Sequence, residues 1–299
     1  MKFKNIHFII NPASGNYEPI LSFFNEAFLE TGIEWTVSII EKENDAQKFA
    51  QQWLDKVDVI AVYGGDGSIA EVAQVLKGSN TPLAIIPGGT ANVISKELGI
   101  PQNTLEALEL LKSSQNECIQ IDMASANDKL FMIRVNIGIM ADMVIDASYE
   151  MKNTYGQLAY GIAGMQSVIH TEPVKYKMKI DGLEVLEEGV ALTVTNCGNI
   201  GIENYSFLPD ISISDGFLDV ILLNHADFMS ILRIAGTTFM GTNSEVLKHW
   251  KCKEIELWFD TVQKIILDDC AMESQYLHIK VIPNALKVIV PKKITSNVV

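Results

Sequence analysis

Between residues 5 and 92 short β-rich runs alternate with stretches of helical periodicity, and three of the four runs end in a turn built around glycine or Asn-Pro. The runs are Asn5 to Ile10, Trp35 to Ile40, Val57 to Tyr63 and Pro82 to Ile86. Between them, Ile20, Phe23, Phe24, Ala27 and Phe28 share one face of a helix within Tyr17 to Thr31. Asn44 or Asp45 can cap a helix reaching about Leu54, and Ser68 to Leu76 reads as a third. Strands joined by helices of this length predict a parallel sheet with right-handed crossovers. Ligands of such sheets bind beyond the carboxyl ends of the strands, where these turns fall.

The turns are Asn11-Pro-Ala-Ser-Gly15, Gly64-Gly-Asp-Gly-Ser68 and Pro87-Gly-Gly-Thr-Ala-Asn92. Glycine lets the backbone approach a ligand closely and aim N–H groups at an anion, and a following helix adds its positive end. Asp66 would repel a phosphate unless Mg²⁺ or a hydroxyl proton lay between them, which phosphoryl transfer requires; alternatively it caps the helix. Thr90 can reach a phosphate oxygen, and Asn92 can hold either its own loop or a nucleotide. Ser14 and Gly15 offer a hydroxyl and an amide. Any one turn also fits an ordinary strand-to-helix connection. Three on one sheet edge point to a polyphosphate.

After the helix Thr104 to Leu111 the texture changes. Strand-like runs crowd together at 118–125, 129–139, 173–181, 187–196, 217–223, 254–260, 263–268, 276–282 and 285–290, with helices only at about 155–170 and 227–240. Short turns between many strands predict antiparallel sheet, a sandwich or distorted barrel. The expected division is an α/β domain over 1–125 and a β-rich domain over 126–299, with the last residues able to return to the first domain.

The formal charge of −14 and pI near 4.8 argue against nucleic acid as a partner. They leave a membrane open only through a local basic patch or exposed apolar side chains. Lys175, Lys177 and Lys179 alternate along one run and would share a face, as such a patch or as a plain solvated surface. Cys118, Cys197, Cys252 and Cys270 are scattered, which supports neither a metal site nor a disulfide framework. The amino-terminal apolar run is only Phe8-Ile9-Ile10, and no stretch approaches the roughly 18 apolar residues of a membrane span. The expectation is a cytoplasmic protein whose contact with membranes is peripheral.

The order NPxSG, GGDG[TS], PxGTxN resembles the diacylglycerol-kinase catalytic family of bacterial lipid kinases and sphingosine and ceramide kinases. Later stretches are similar too: Asn136-Ile-Gly138 followed by Asp142, Tyr155-Gly-Gln-Leu-Ala-Tyr160, Pro209 with Ser214-Asp-Gly-Phe-Leu-Asp219, and Leu267-Asp-Asp-Cys270 through Pro283-Asn-Ala-Leu286 to Pro291. NAD kinases and phosphofructokinases share the early loops but not these. The resemblance implies an ATP-dependent lipid kinase with its active site in an interdomain cleft. It implies that Asn11, Ser14, Gly15, Gly64, Gly65, Gly67, Ser68, Glu71, Thr90 and Asn92 line the ATP site, that Asp66 acts at the phosphates, through Mg²⁺ or directly, and that Asp268 is the general base. It further implies a structural Mg²⁺ at Asp215 with the carbonyls of Ser212 and Phe217.

The departures lie mostly in the acceptor half. The family's DGE is Asp268-Asp269-Cys270, and the second carboxylate either raises the pKa of Asp268 or spoils the turn. Ala70 and Ile40 stand where the family carries polar residues, and DDG is Ser214-Asp215-Gly216. A homologue that binds lipid or nucleotide without transferring phosphate, and a kinase of soluble substrates, are the alternatives. Diacylglycerol, phosphatidylglycerol and sphingoid bases are equally compatible acceptors, with Met140, Met143, Tyr149, Tyr155, Tyr160 and Met165 as an expected apolar lining. A strand-rich second domain offers edges for a homodimer.

Overall fold

The computed structural model describes residues 3–15, 18–112, 116–138, 173–201, 206, 208–224 and 247–292. The helices expected at 155–170 and 227–240, Asp142 and the apolar lining from Met140 to Met165 lie outside these residues. The chain forms two compact units, one of Met1–Asp122, Asn199–Tyr205 and Pro283–Val299, the other of Met123–Gly198 and Ser206–Ile282.

The first unit is the parallel α/β structure that the early periodicity predicts. Strands β1 (Asn5–Ile10), β2 (Glu34–Ile39), β3 (Val59–Gly64) and β4 (Leu83–Pro87) lie in the order β2-β1-β3-β4, each pair parallel. Helices α1 (Ile20–Phe28), α2 (Asp45–Trp53), α3 (Asp66–Leu76), α4 (Val93–Glu97) and α5 (Thr104–Lys112) connect and follow them. Every residue of β3 and β4 is buried, as a sheet covered on both faces requires. Alternation along β1 divides the two faces. Phe8 stacks on Phe24 of α1 with centroids 4.0 Å apart, and its neighbour His7 stacks on Trp53 of α2 at 4.2 Å. Burial pushes His7 down to about 4, so its ring is neutral, and its nitrogens bond the hydroxyls of Thr36 and Ser38.

The second unit is antiparallel. It contains β6 (Lys129–Phe131), β7 (Arg134–Gly138), β8 (Val174–Ile180), β9 (Leu183–Gly189), β10 (Ala191–Thr195), β11 (Leu218–Leu223), β12 (Leu247–Cys252) and β13 (Glu254–Leu267). Two further strands, β5 (Asn116–Ala126) and β14 (Cys270–Pro291), have residues in each unit. The run β12-β11-β10-β7-β13 is continuously paired. A register shift between Trp258 and Gln263 bends β13, so that Ile255 to Trp258 pair with β8 and Ile265 to Leu267 with β7. Sequence periodicity reads this strand as two, because the bulge interrupts its alternation. The core beneath includes Val135, Tyr176, Leu192, Val220, Leu257 and Leu277.

Four further differences separate the strands from those expected. The run 129–139 breaks at Met132 and Ile133, whose N–H groups leave the ladder for a side chain. The run 187–196 breaks at Val190, whose N–H donates to the Leu223 carbonyl, and β14 continues unbroken through 270–291. Strand β12 was not expected, because Leu247 to Cys252 carries lysine, histidine and lysine among its apolar residues. The lysines of β8 alternate outward around buried Tyr176 and Met178, but they form no basic patch. Glu188 lies across from Lys175, Glu184 across from Lys179, Glu256 3.6 Å from the Lys179 ammonium, and Trp258 beneath Lys177. Opposite charges on the same face neutralise the row.

Candidate active site

In the first unit, the three turns meet through both side chains and backbone. Asn11 donates from Nδ2 to the Ser68 hydroxyl at 2.8 Å and accepts the Ala13 N–H, so one residue shapes its own turn and ties it to the start of α3. The Ser14 N–H closes the same turn onto the Asn11 carbonyl. The Gly64 carbonyl accepts the Gly88 N–H at 2.9 Å. Gly65 and Gly89 then face each other backbone to backbone: a Cβ added to Gly89 would stand 2.6 Å from the Gly65 Cα. Side chains are excluded there, which leaves a bare peptide cradle of the kind a phosphate needs.

Asp66 locks this cradle from behind. Its carboxylate accepts the Val93 and Ile94 N–H groups, both at 3.0 Å, and so caps α4 from a different helix. Asn92, in the left-handed region at φ +51°, accepts the Gly89 N–H at 2.9 Å. Asn92 therefore holds its own loop, one of the two roles its sequence position allowed. Gly67 and Ser68 occupy the first turn of α3, where N–H groups have no intrahelical acceptor. Thr90 is exposed at the tip of its loop. Glu71 lies more than a turn further along α3, where burial first and then Glu43 raise its pKa.

Tyr63 is the residue that motif reading missed. It is the next-to-last residue of β3, just before Gly64 and Gly65, and its ring is the floor for two loops: a Cβ on Gly15 would fall 2.1 Å from its oxygen, and one on Gly88 would lie 3.2 Å from its Cζ. Gly15 also needs φ +95°. Burial, and then Glu18, push the Tyr63 phenol up to about 12, so it stays protonated and donates to Glu18, which also accepts from Thr104. The available signal was a lone polar ring closing an otherwise aliphatic strand.

In the second unit Asp268 stands in the two-residue turn between β13 and β14, at φ +51°. Its Oδ2 accepts the Met132 N–H, and its Oδ1 accepts those of Ile133 and Arg134, each at 2.9 Å. A carboxylate has about four acceptor positions, so one direction on Oδ2 remains after these three. Burial pushes the carboxyl up to about 6, opposed by the three N–H donors and helped by Asp269. Asp269 does not itself need a positive φ, so loss of the glycine there leaves the turn intact. Asn136 and Gly138 are structural: Asn136 accepts the Thr193 hydroxyl, and Gly138, at φ +75°, has no room for a Cβ beside the Val190 carbonyl.

At Asp215 the carboxylate is already engaged. Oδ1 accepts the Phe217 N–H at 3.0 Å, and Oδ2 pairs with the Lys251 ammonium at 2.6 Å. The hydrogen bond to Asp215 in turn raises the Lys251 pKa. Ser212 Oγ meets the Ser214 hydroxyl and accepts the Ser214 N–H, both at 3.4 Å. Among the described residues no group of three His, Cys, Asp or Glu side chains is arranged to hold a metal.

Comparison with known proteins places these features in a family. The diacylglycerol kinase catalytic domain matches residues 5–126, and the YegS C-terminal NAD kinase β-sandwich-like domain matches residues 134–290. A diacylglycerol kinase of Bacillus subtilis is 27% identical over 89% of this chain and 89% of its own. An uncharacterized protein of Synechocystis sp. is 26% identical over 97% of this chain and 71% of its own. A solved diacylglycerol kinase structure from Bacillus anthracis shares the fold, with a TM-score of 0.79 at 24% identity, covering 97% of this chain and 98% of that one.

Proposed function

The chain belongs to the diacylglycerol kinase family, and from that premise we propose that it transfers the γ-phosphate of Mg·ATP to a hydroxyl of a membrane lipid. It is a lipid kinase, a phosphotransferase. The observation that supports the finer reading is the cradle of the first unit. Gly64, Gly65, Gly88 and Gly89 are packed backbone to backbone and locked by Asp66 and Asn92, so peptide N–H groups rather than side chains meet the polyphosphate. Asn11, Ser14 and Thr90 add polar side chains or amides at its rim.

Mg²⁺, when bound with the nucleotide, neutralises charge on the transferring phosphoryl group. The protein's part is positioning and proton transfer. Asp268 takes the proton of the lipid hydroxyl on the open direction of Oδ2, the freed oxygen bonds to the γ-phosphorus, and the bond to the ADP oxygen breaks. A base near 6 is mostly ionised at neutral pH yet basic enough to accept the proton. The three N–H donors fix its orientation. Among the described residues no helix is long and apolar enough to cross a membrane, and the acceptor lipid is met by peripheral contact in this reading.

Labelled Mg·ATP offered with a panel of lipids in mixed micelles tests the proposal, beside Asp66→Ala and Asp268→Asn. A labelled lipid that both substitutions abolish names the acceptor and supports the roles. Nucleotide binding without transfer to any lipid would favour the non-catalytic alternative, to which Cys270 in the glutamate position lends weight.

A further inference from the structure

The resemblance to kinases with a structural Mg²⁺ leads to an expectation that the residues around Asp215 do not fit. Mg²⁺ demands near-octahedral oxygen ligation at about 2.0–2.1 Å and is usually held by one or two carboxylates and waters. Here the only carboxylate of the expected ligand set gives Oδ2 to an ammonium 2.6 Å away and Oδ1 to a backbone N–H. A second cation is close: the ring of Phe217 has the Lys251 ammonium 5.7 Å from its centroid and the Lys253 ammonium 5.3 Å from it. Of the other carboxylates that act on Lys251, Asp219 is buried and bonded to His249 at 2.6 Å, and Asp210 is exposed. A divalent ion at Asp215 would meet two like charges and one half-spent ligand.

The strand register explains why the lysine arrives there. Asp219 of β11 lies across from Lys251 of β12, and Asp215 accepts the N–H of Phe217, the residue just before β11. Lys251 can therefore reach from the neighbouring strand to the place where a soluble cation would tie the loop down. We propose that the Lys251 ammonium substitutes for a divalent cation at Asp215, fastening the 212–217 loop to β12 and leaving the second unit without a metal requirement. Any Mg²⁺ dependence then belongs to the nucleotide alone. The inference concerns the folded chain without substrates and does not depend on the proposed reaction.

The test is a Mn²⁺ titration of the nucleotide-free full chain, followed by the electron paramagnetic resonance signal of free Mn²⁺. The parent should show no site that Asp215→Asn removes. Lys251→Met should gain one site, and Lys251→Met with Asp215→Asn should lose it again, while Lys251→Arg behaves as the parent. A parent site tighter than about 0.1 mM that disappears in Asp215→Asn would overturn the proposal, since sensor-type cation sites reach that affinity readily. So would a well-folded Lys251→Met that still binds nothing, because the place would then not be a cation's. Should Lys251→Met fail to fold, the parent and Asp215→Asn titrations decide alone.

Discussion

Two hairpins of the second unit are built alike and sit in different surroundings. Between β8 and β9, Asp181 at φ +46° turns the chain and its Oδ1 accepts the N–H groups of Lys253 and Glu254 at 3.0 and 2.9 Å. Between β13 and β14, Asp268 at φ +51° turns the chain and accepts those of Met132, Ile133 and Arg134. Asn127 repeats the device between β5 and β6, reaching His278 and Tyr276 of β14. In each case a short polar side chain tolerates the left-handed backbone and satisfies a neighbouring strand. The acceptor geometry is thus a device of the fold. What separates Asp268 is burial and an adjacent acid, which raise its pKa to about 6, whereas Asp181 is exposed.

The largest effect that can break this comparison is on turnover. Asp268→Asn keeps the turn and can still accept two of the three N–H groups, yet it should lower the lipid-kinase rate by about 10²–10⁴-fold, while Asp181→Asn changes it less than about twofold. Equal losses in steady-state assays would reduce Asp268 to the structural role of Asp181. The next effect is on pH. A base at about 6 makes the rate rise through that value, and Asp269→Gly should move the midpoint to lower pH by removing the neighbouring charge. Stability carries the opposite sign. Because the folded value lies above the unfolded one of about 3.9, this group favours the folded state below pH 4 and loses that contribution as pH rises through about 6. Urea unfolding across that window should be flatter for Asp268→Asn.

Smaller effects sharpen the contrast. Asp181→Ala should cost about 1–2 kcal/mol in urea unfolding, from lost acceptors at an exposed site and a left-handed alanine, without touching turnover. Asp269→Gly should change stability by no more than about 0.5 kcal/mol, the range of ordinary surface substitutions, because the backbone at 269 does not require glycine. A larger change in either direction would show that the second carboxylate holds the turn itself.

The halves of the molecule were unequally legible. In the first unit hydrophobic period and turn chemistry agree locally, so the parallel sheet and the placing of three turns on one of its edges followed from residues close in sequence. That Asp66 reaches Val93 and Ile94 did not, because a carboxylate in a phosphate loop and one capping a remote helix look alike in sequence. In the second unit the outcome rests on register. The bend at Trp258 to Gln263 and the partnering of Lys251 with Asp215 depend on which strands lie side by side, a property no local window carries. The lysine row of β8 teaches the same lesson: its alternation was readable, but the glutamates that neutralise it lie on two other strands.

The end of β14 has a consequence for how this chain is made. Residues from Pro283 onward belong to the first unit, where Val288 pairs with Leu83 of β4, the Gly78 N–H donates to the Ala285 carbonyl and the Asn284 N–H to Asp122. A ribosome that has delivered residues up to 122 has therefore delivered a parallel sheet with β4 as a bare edge, and some 160 residues, about ten to thirty seconds of synthesis, pass before its covering strand emerges. The glycine cradle of Gly88 and Gly89 grows from that same β4. During translation the first unit is an unfinished sheet, open to pairing with other chains and to recognition by chaperones, until the residues from Pro283 onward emerge.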